Sequence, residues 1–214
     1  MRTRVLLADD HGVLRDGVRR LLETDDAISV IAVADDGRDA VEKTMEFLPD
    51  VVVMDVSMPA MNGIEATRTL AKRVPGTGVV MLSMHSSADV IREALLAGAR
   101  GYVFKESVGE EVVRAVKAVA AGRLFIGSGV GEKIVAEYPG GLGGVSAIDS
   151  LTSRERETLQ LVAEGKSNAE AAAILHLSPR SVETYRWRLM QKLGIEDLPS
   201  LVKFAIRHGI TTPE

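Results

Sequence analysis

Asp50-Val51-Val52-Val53-Met54-Asp55-Val56-Ser57-Met58-Pro59-Ala60-Met61-Asn62-Gly63 is the stretch that decides the fold of this 214-residue chain. Its first half, Val51 to Met54, is an unbroken apolar run without alternation, the pattern of a strand buried on both faces of a parallel sheet. Such a strand belongs near the centre of the sheet. The run breaks at Asp55 and is followed by Pro59 and by Asn62-Gly63, so a carboxylate stands at the strand's carboxyl end, where a turn begins. In open α/β sheets that edge is where ligands bind. A lone aspartate there can simply hydrogen-bond the next turn, so the reading needs support from other strands.

Three stretches supply it. Arg4-Val5-Leu6-Leu7-Ala8-Asp9-Asp10 ends in two acids, Val79-Val80-Met81-Leu82-Ser83 in a hydroxyl, and Gly101-Tyr102-Val103-Phe104-Lys105 in a lysine. If all four strands are parallel in one sheet, these groups converge on one edge. Three carboxylates held together repel one another, and a hard cation such as Mg²⁺ relieves that; Lys105 and Ser83 add a positive charge and a donor. The set suits an anionic phosphoryl group on Asp55. The plainer alternatives are helix-capping aspartates for Asp9 and Asp10, a surface lysine for Lys105, and a half-buried core tyrosine for Tyr102.

Strand-like runs near 3–8, 28–34, 51–54, 78–82 and 101–104 alternate with helical patterns, which predicts a doubly wound, five-stranded parallel sheet over residues 1–122. In the first helix, Leu14, Val18, Leu21 and Leu22 recur at helical spacing. Ser107-Val108-Gly109-Glu110 has the form of a capping box for the last helix of this domain. Residues 122–150 hold eight glycines. We read 123–147 as a linker in which Pro139 to Gly144 carries no regular element and Glu132 to Tyr138 forms a short helix.

Two more capping boxes, Thr152-Ser153-Arg154-Glu155 and Ser167-Asn168-Ala169-Glu170, open short helices in a small all-α domain over 148–214. Ser178-Pro179 opens a third, with serine as N-cap and proline at the first helical position. The second and third helices, broken at His176 to Ser178, read as a helix-turn-helix. From Pro179 to Lys192, Arg180, Arg186, Arg188 and Lys192 face Glu183 alone. That helix suits phosphates and a DNA major groove, although ordinary solvated charges would give the same count. Leu198, Leu201, Val202, Ala205 and Ile206 form an apolar stripe on the final helix, serving the domain's own core, a dimer contact, or both.

The net charge of −4 is not that of a nucleic-acid-binding arm: residues 151–214 hold nine basic and eight acidic groups, so DNA contact must come from a local patch. There is no cysteine, which excludes disulfides and thiolate metal sites. Met1-Arg2-Thr3-Arg4 runs straight into a strand without a signal-peptide core, and no stretch approaches ~20 uninterrupted apolar residues. The expectation is a cytoplasmic protein without a membrane partner.

The ordered set Asp9-Asp10, Asp55, Met58-Pro59, Gly63, Ser83, Tyr102 and Lys105 resembles the receiver domain of two-component response regulators over about residues 1–122. Leu151-Thr152-Ser153-Arg154-Glu155, Gly165-Lys166-Ser167-Asn168, Ser181-Val182-Glu183 and Gln191-Lys192-Leu193-Gly194 resemble the LuxR-type DNA-binding domain. Together they give the NarL/FixJ-like architecture. The resemblance implies that Asp55 accepts a phosphoryl group from a sensor histidine kinase. It implies that Asp9, Asp10, Asp55 and the backbone carbonyl of Ser57 hold Mg²⁺, that Lys105 pairs with phosphoryl oxygens, and that Ser83 and Tyr102 relay the change. It further implies double-stranded DNA as a partner of Arg180, Glu183, Thr184, Trp187, Arg188 and Lys192, and a homodimer on activation through Leu198, Leu201, Val202 and Ile206. Ala171 and Tyr185 depart from the family, which often has a bulkier aliphatic and a histidine there. The chain is then not an enzyme but the acceptor of a phosphoryl group. The alternatives are a phosphotransfer or phosphatase domain acting without DNA, and a protein-binding output. His85, two residues past Ser83, is assigned no part.

Overall fold

The computed structural model describes residues 2–137 and 146–211. The stretch Pro139 to Gly144, expected to lack a regular element, lies outside the described residues. The chain divides into two compact units, 1–142 and 143–214, each with its own core.

In the first unit β1 (Thr3–Ala8), β2 (Ile28–Ala34), β3 (Val51–Asp55), β4 (Gly78–Ser83) and β5 (Gly101–Phe104) are joined by α1 (Gly12–Glu23), α2 (Gly37–Phe47), α3 (Gly63–Arg73) and α4 (Ala88–Ala97), with α5 (Val108–Ala120) following β5. A sixth strand, β6 (Phe125–Ile126), completes an all-parallel sheet in the order β2-β1-β3-β4-β5-β6. The chain turns outward in opposite directions from β1 and β3, and a ligand crevice opens at such a switch point.

Every residue of β3 is buried, and the period of two sorts its side chains. Val51 and Val53 join Val5, Leu7, Val80 and Leu82 in a layer covered by Val18 and Leu22 of α1 and Val112, Val116 and Val119 of α5. Val52 and Met54 join Leu6, Val79 and Met81 in the opposite layer, under α2, α3 and α4. A strand apolar on both faces is therefore sandwiched, and each buried aliphatic contributes roughly 1.5–3 kcal/mol. Beyond β3 the chain bends back so tightly that a Cβ on Gly63 would lie 1.9 Å from the Asp55 carbonyl oxygen. Only glycine fits, and it aims Asp55 at the crevice.

Two features differ from expectation. Ser107 does not cap α5 through its side chain: a 3₁₀ turn over Lys105–Ser107 runs straight into the helix and leaves Ser107 at φ −100°, ψ 6°, outside the extended conformation a capping serine needs. The expected linker also opens with an unforeseen strand, Phe125–Ile126, paired with β5, whereas the short helix expected from Glu132 onward is present as α6 (Val130–Glu137). Two residues are too few for an alternation signal, and the strand exists because β5 offers a free edge.

In the second unit a 3₁₀ turn (Ala147–Ser150) leads into α7 (Ser153–Ala163), α8 (Asn168–Leu175), α9 (Pro179–Leu193) and α10 (Leu198–Arg207). The capping boxes at Thr152/Glu155 and Ser167/Glu170 are both formed, and Ser178 accepts the Ser181 N–H at 3.1 Å with Pro179 in the first turn. His176, in the left-handed conformation at φ 54°, ends α8. Ala171 is fully buried beside Leu161, Leu175 and Val182, so the small side chain belongs to the packing of α8 on α9. The α10 stripe is divided. Leu201 and Ala205 are fully buried with Ile148, Leu159 and Leu189, whereas Leu198 is exposed and Val202 and Ile206 are half-buried. Leu201 is thus a core residue, not a free dimer contact. Among the described residues, no helix is long and apolar enough to cross a membrane.

Candidate functional site

The four strand ends converge as their parallel register requires. Asp55 and Asp9 are buried, and the Lys105 ammonium stands between them, 2.7 Å from Asp55 Oδ2 and 2.9 Å from Asp9 Oδ2. The Ser57 N–H donates to Asp55 Oδ1 at 3.3 Å. Asp9 and Asp10 do not cap α1, whose N-cap is His11. Instead Asp9 Oδ1 accepts the His11 N–H at 2.8 Å, closing an Asx-type turn that holds the carboxylate toward Asp55.

Burial pushes the Asp55 carboxyl up to about 6; Lys105 opposes the shift and the Asp9 charge adds to it. Burial alone would depress the Lys105 ammonium, but Asp55 and Asp9 outweigh it and raise its pKa, so it stays cationic. Oxygen ligand atoms of Asp9, Asp10 and Asp55, with a His11 ring nitrogen, lie within 4.8 Å of one another. Three carboxylates against one lysine leave negative charge uncompensated, and the carboxylate oxygens of Asp9, Asp10 and Asp55 are the donors Mg²⁺ takes. The residues therefore fit the expected cation.

Ser83 and Tyr102 are both buried, their side chains share a hydrogen bond, and a residue the sequence reading left out ties them together a second time. The His85 N–H donates to Ser83 Oγ at 2.8 Å, and Tyr102 Oη donates to the His85 carbonyl at 3.1 Å. The His85 ring reaches across the loops, with Nε2 2.9 Å from Ser57 Oγ. Burial, then the Lys105 charge, lowers the His85 pKa, which keeps the ring neutral near pH 7. Burial pushes the Tyr102 phenol up, so it remains a donor. His11 was also missed, its Nδ1 lying 2.9 Å from Asp10 Oδ1. The available signals were adjacency to the acidic pair and a position two residues beyond the end of the Ser83 strand.

On α9, Arg180, Glu183, Thr184, Trp187, Arg188 and Gln191 are exposed, while Val182 and Leu189 face the core. Trp187 stands out as a large apolar group 63% exposed. The Thr184 hydroxyl donates back to the Arg180 carbonyl at 2.9 Å. Lys192 is engaged within its own unit: its ammonium is 2.7 Å from Glu155 Oε2 and donates to the Ser150 carbonyl at 3.1 Å. Its charge is neutralised in place, leaving Arg180 and Arg188 as the exposed positive groups of the outer face, with Arg186 half-buried on the flank. Tyr185 is half-buried on the flank.

A family model described as the response regulator receiver domain matches residues 5–117, and one described as bacterial regulatory proteins of the luxR family matches residues 149–205. The chain is 38% identical over 209 residues to the transcriptional regulatory protein MctR of Rhizobium johnstonii, covering 98% of this chain and 95% of that protein. It is 36% identical over 210 residues to the response regulator UvrY of Escherichia coli K12, covering 98% and 96%. Among solved structures, a LuxR-family two-component response regulator from Aurantimonas sp. SI85-9A1 is similar at TM-score 0.62 and 36% identity, over 64% of this chain and 98% of that one. Acidic crevice, lysine, the Ser83 and Tyr102 hydroxyls and helix-turn-helix thus occur together, and the chain belongs to the NarL/FixJ-type response regulators, DNA-binding transcription regulators of two-component systems.

Proposed function

We propose that Asp55 accepts a phosphoryl group from the phosphohistidine of a sensor kinase, and that this modification sets the DNA affinity of the α7–α10 unit. In the transfer, an Asp55 carboxylate oxygen attacks phosphorus in line, the P–O bond forms as the P–N bond breaks, and the electron pair leaves with the imidazole of the donor. Asp9, Asp10, Asp55 and the Ser57 carbonyl would hold Mg²⁺, which when bound would neutralise charge on the transferring oxygens. Lys105, already between Asp55 and Asp9, moves from carboxylate to phosphoryl oxygens without losing its anionic partners. Ser83 then turns toward the modified carboxylate, and Tyr102, bonded to it directly and through His85, follows. The product stays on the chain, so the protein is a substrate of its kinase rather than an enzyme with turnover.

The observation that carries this reading is the buried Asp55 carboxylate with Lys105 at 2.7 Å inside a cluster of acids fit for a divalent cation. On the output side, Arg180, Arg186 and Arg188 meet phosphates and Glu183, Thr184 and Trp187 approach base edges. Two copies bind adjacent half-sites, joined in part by Leu198, Val202 and Ile206, and the protein works in the cytoplasm. The test is direct. Wild type incubated with a small phosphoryl donor and Mg²⁺ should gain a hydroxylamine-labile phosphoryl group and bind its genomic fragments more tightly, and Asp55→Asn should do neither while remaining folded. Equal labelling of the two proteins would overturn the assignment.

A further inference from the structure

Residues 125–134, which their glycine-rich context marks as linker, are knitted to the receiver unit at three points. First, β6 pairs with β5 so that the Gly127 N–H donates to the carbonyl of Tyr102 itself, at 2.9 Å. Second, the Ser128 N–H and hydroxyl both donate to Glu111 Oε1 of α5, at 3.0 and 2.6 Å, and the Glu111 side chain is buried. Gly127 makes this approach possible: a Cβ there would stand 2.5 Å from Glu111 Oε2, 3.0 Å from the Tyr102 carbonyl oxygen and 3.4 Å from Val103 Cα. Third, α6 packs on the sheet's outer layer. Val130 is fully buried in the cluster that holds Val90, Ile91 and Ala94 of α4, with Ile126 and Ile134 against it. Lys133 Nζ lies 5.9 Å from the centre of the Phe104 ring, and that ring meets Tyr102 edge-on at 5.9 Å.

Tyr102 is therefore gripped from opposite ends. Its hydroxyl is bonded to His85 at the phosphoryl-acceptor site, its carbonyl to Gly127, and its ring touches Phe104, which in turn touches α6. A strand this short has no stability of its own, since an isolated two-residue pairing does not offset the entropy of ordering it. Its docking depends on the conformation of the residue it pairs with. Beyond Glu137 the same chain continues to the DNA-binding unit, which starts within ten residues.

We propose that residues 125–134 are the receiver's output element: a shift of Tyr102 on phosphorylation of Asp55 changes the docking of β6 and α6, and the altered docking reaches the DNA-binding unit along the chain. This rests on the phosphorylation of Asp55 proposed above. Glu111 and Gly127 are then positioning residues of the switch, without contact to the phosphoryl group.

The test uses the full chain and two readouts. In wild type, hydrogen exchange of peptides covering 125–134 is measured with and without beryllium fluoride and Mg²⁺, a phosphoryl mimic; protection there should change together with that of the Ser83–Ser87 loop. In Gly127→Ala, whose Cβ crowds the Glu111 carboxylate and the Tyr102 carbonyl oxygen and so loosens β6, hydroxylamine-labile labelling of Asp55 should persist, while the ratio of DNA affinities with and without phosphorylation falls toward one, the value for zero coupling. Ser128→Ala, which removes one side-chain hydrogen bond, should give an intermediate ratio. A wild type that takes no label overturns the phosphorylation reading itself. Unchanged exchange at 125–134 in labelled wild type, or a wild-type affinity ratio in a labelled Gly127→Ala, overturns the output element alone. If Gly127→Ala loses its cooperative melt, the wild-type exchange result and Ser128→Ala decide.

Discussion

Asp55 holds its charge against its surroundings, which has a measurable consequence before any phosphoryl group arrives. Its carboxyl sits at about 6 instead of 3.8, because burial and the facing Asp9 outweigh Lys105. An acid whose folded pKa is raised binds more protons folded than unfolded, so its contribution to stability falls as pH rises through the window from about 4 to 6. At pH 7 without divalent cation, Asp55→Asn should therefore be more stable than wild type by about 1–3 kcal/mol, taking ~1.4 kcal/mol per unit shift as an upper guide. The gap should close toward pH 4, with Asp9, Asp10, Lys105 and His11 present in both proteins. Chemical denaturation at stepped pH checks this, and a gap that is flat with pH refutes it. Asp55, Asp9, Asp10 and Lys105 were legible because each terminates an apolar run, and parallel strands leave no choice of edge. His85 was not legible, since its ring reaches Ser57 only through the path of a loop, which no periodicity specifies. Lys192 failed for a related reason: counting charges on one helix does not reveal Glu155, 37 residues earlier, that neutralises it.

Among the elements, α10 is the one whose pattern carried two meanings. The stripe at i, i+3, i+4, i+7 and i+8 identifies an apolar face but not what covers it, and the packing of α7 and α9 divides it lengthwise. Leu201→Ala should cost the DNA-binding unit roughly 2–5 kcal/mol, as cavities at fully buried leucines do. Val202→Glu, at a half-buried position, should cost under about 1 kcal/mol, in the range of ordinary surface changes. It should nevertheless reduce two-half-site occupancy on DNA. Thermal melts beside quantitative footprinting separate the two; a Val202→Glu protein that melts as early as Leu201→Ala would make the whole stripe core. The capping boxes at Thr152 and Ser167 were readable from four residues each because the cap is local. The Ser107 pattern has the same letters and fails, because the 3₁₀ turn before it denies the serine an extended backbone. Strand β6 escaped notice because its cause lies on β5, not in Phe125–Ile126.

At the scale of the molecule, two units with separate cores should melt as two transitions, and only one should respond to cation. Mg²⁺ at 100 times its dissociation constant adds about 2.7 kcal/mol to the unit that binds it. Scanning calorimetry should show the receiver transition moving up with Mg²⁺ while the α7–α10 transition stays in place; parallel movement of both would show that the units unfold together. The division was legible because the hydrophobic pattern changes period, from buried runs between helices to helices alone, across a glycine-rich stretch. One exposed side chain carries this separation into optical terms. Trp187 is the sole tryptophan, and at 63% exposure in the folded protein its indole is already largely in water. Unfolding changes its surroundings little, so its emission is a dull reporter of either melt. DNA seated on α9 would cover it, so the emission that barely records unfolding becomes a label-free record of operator binding.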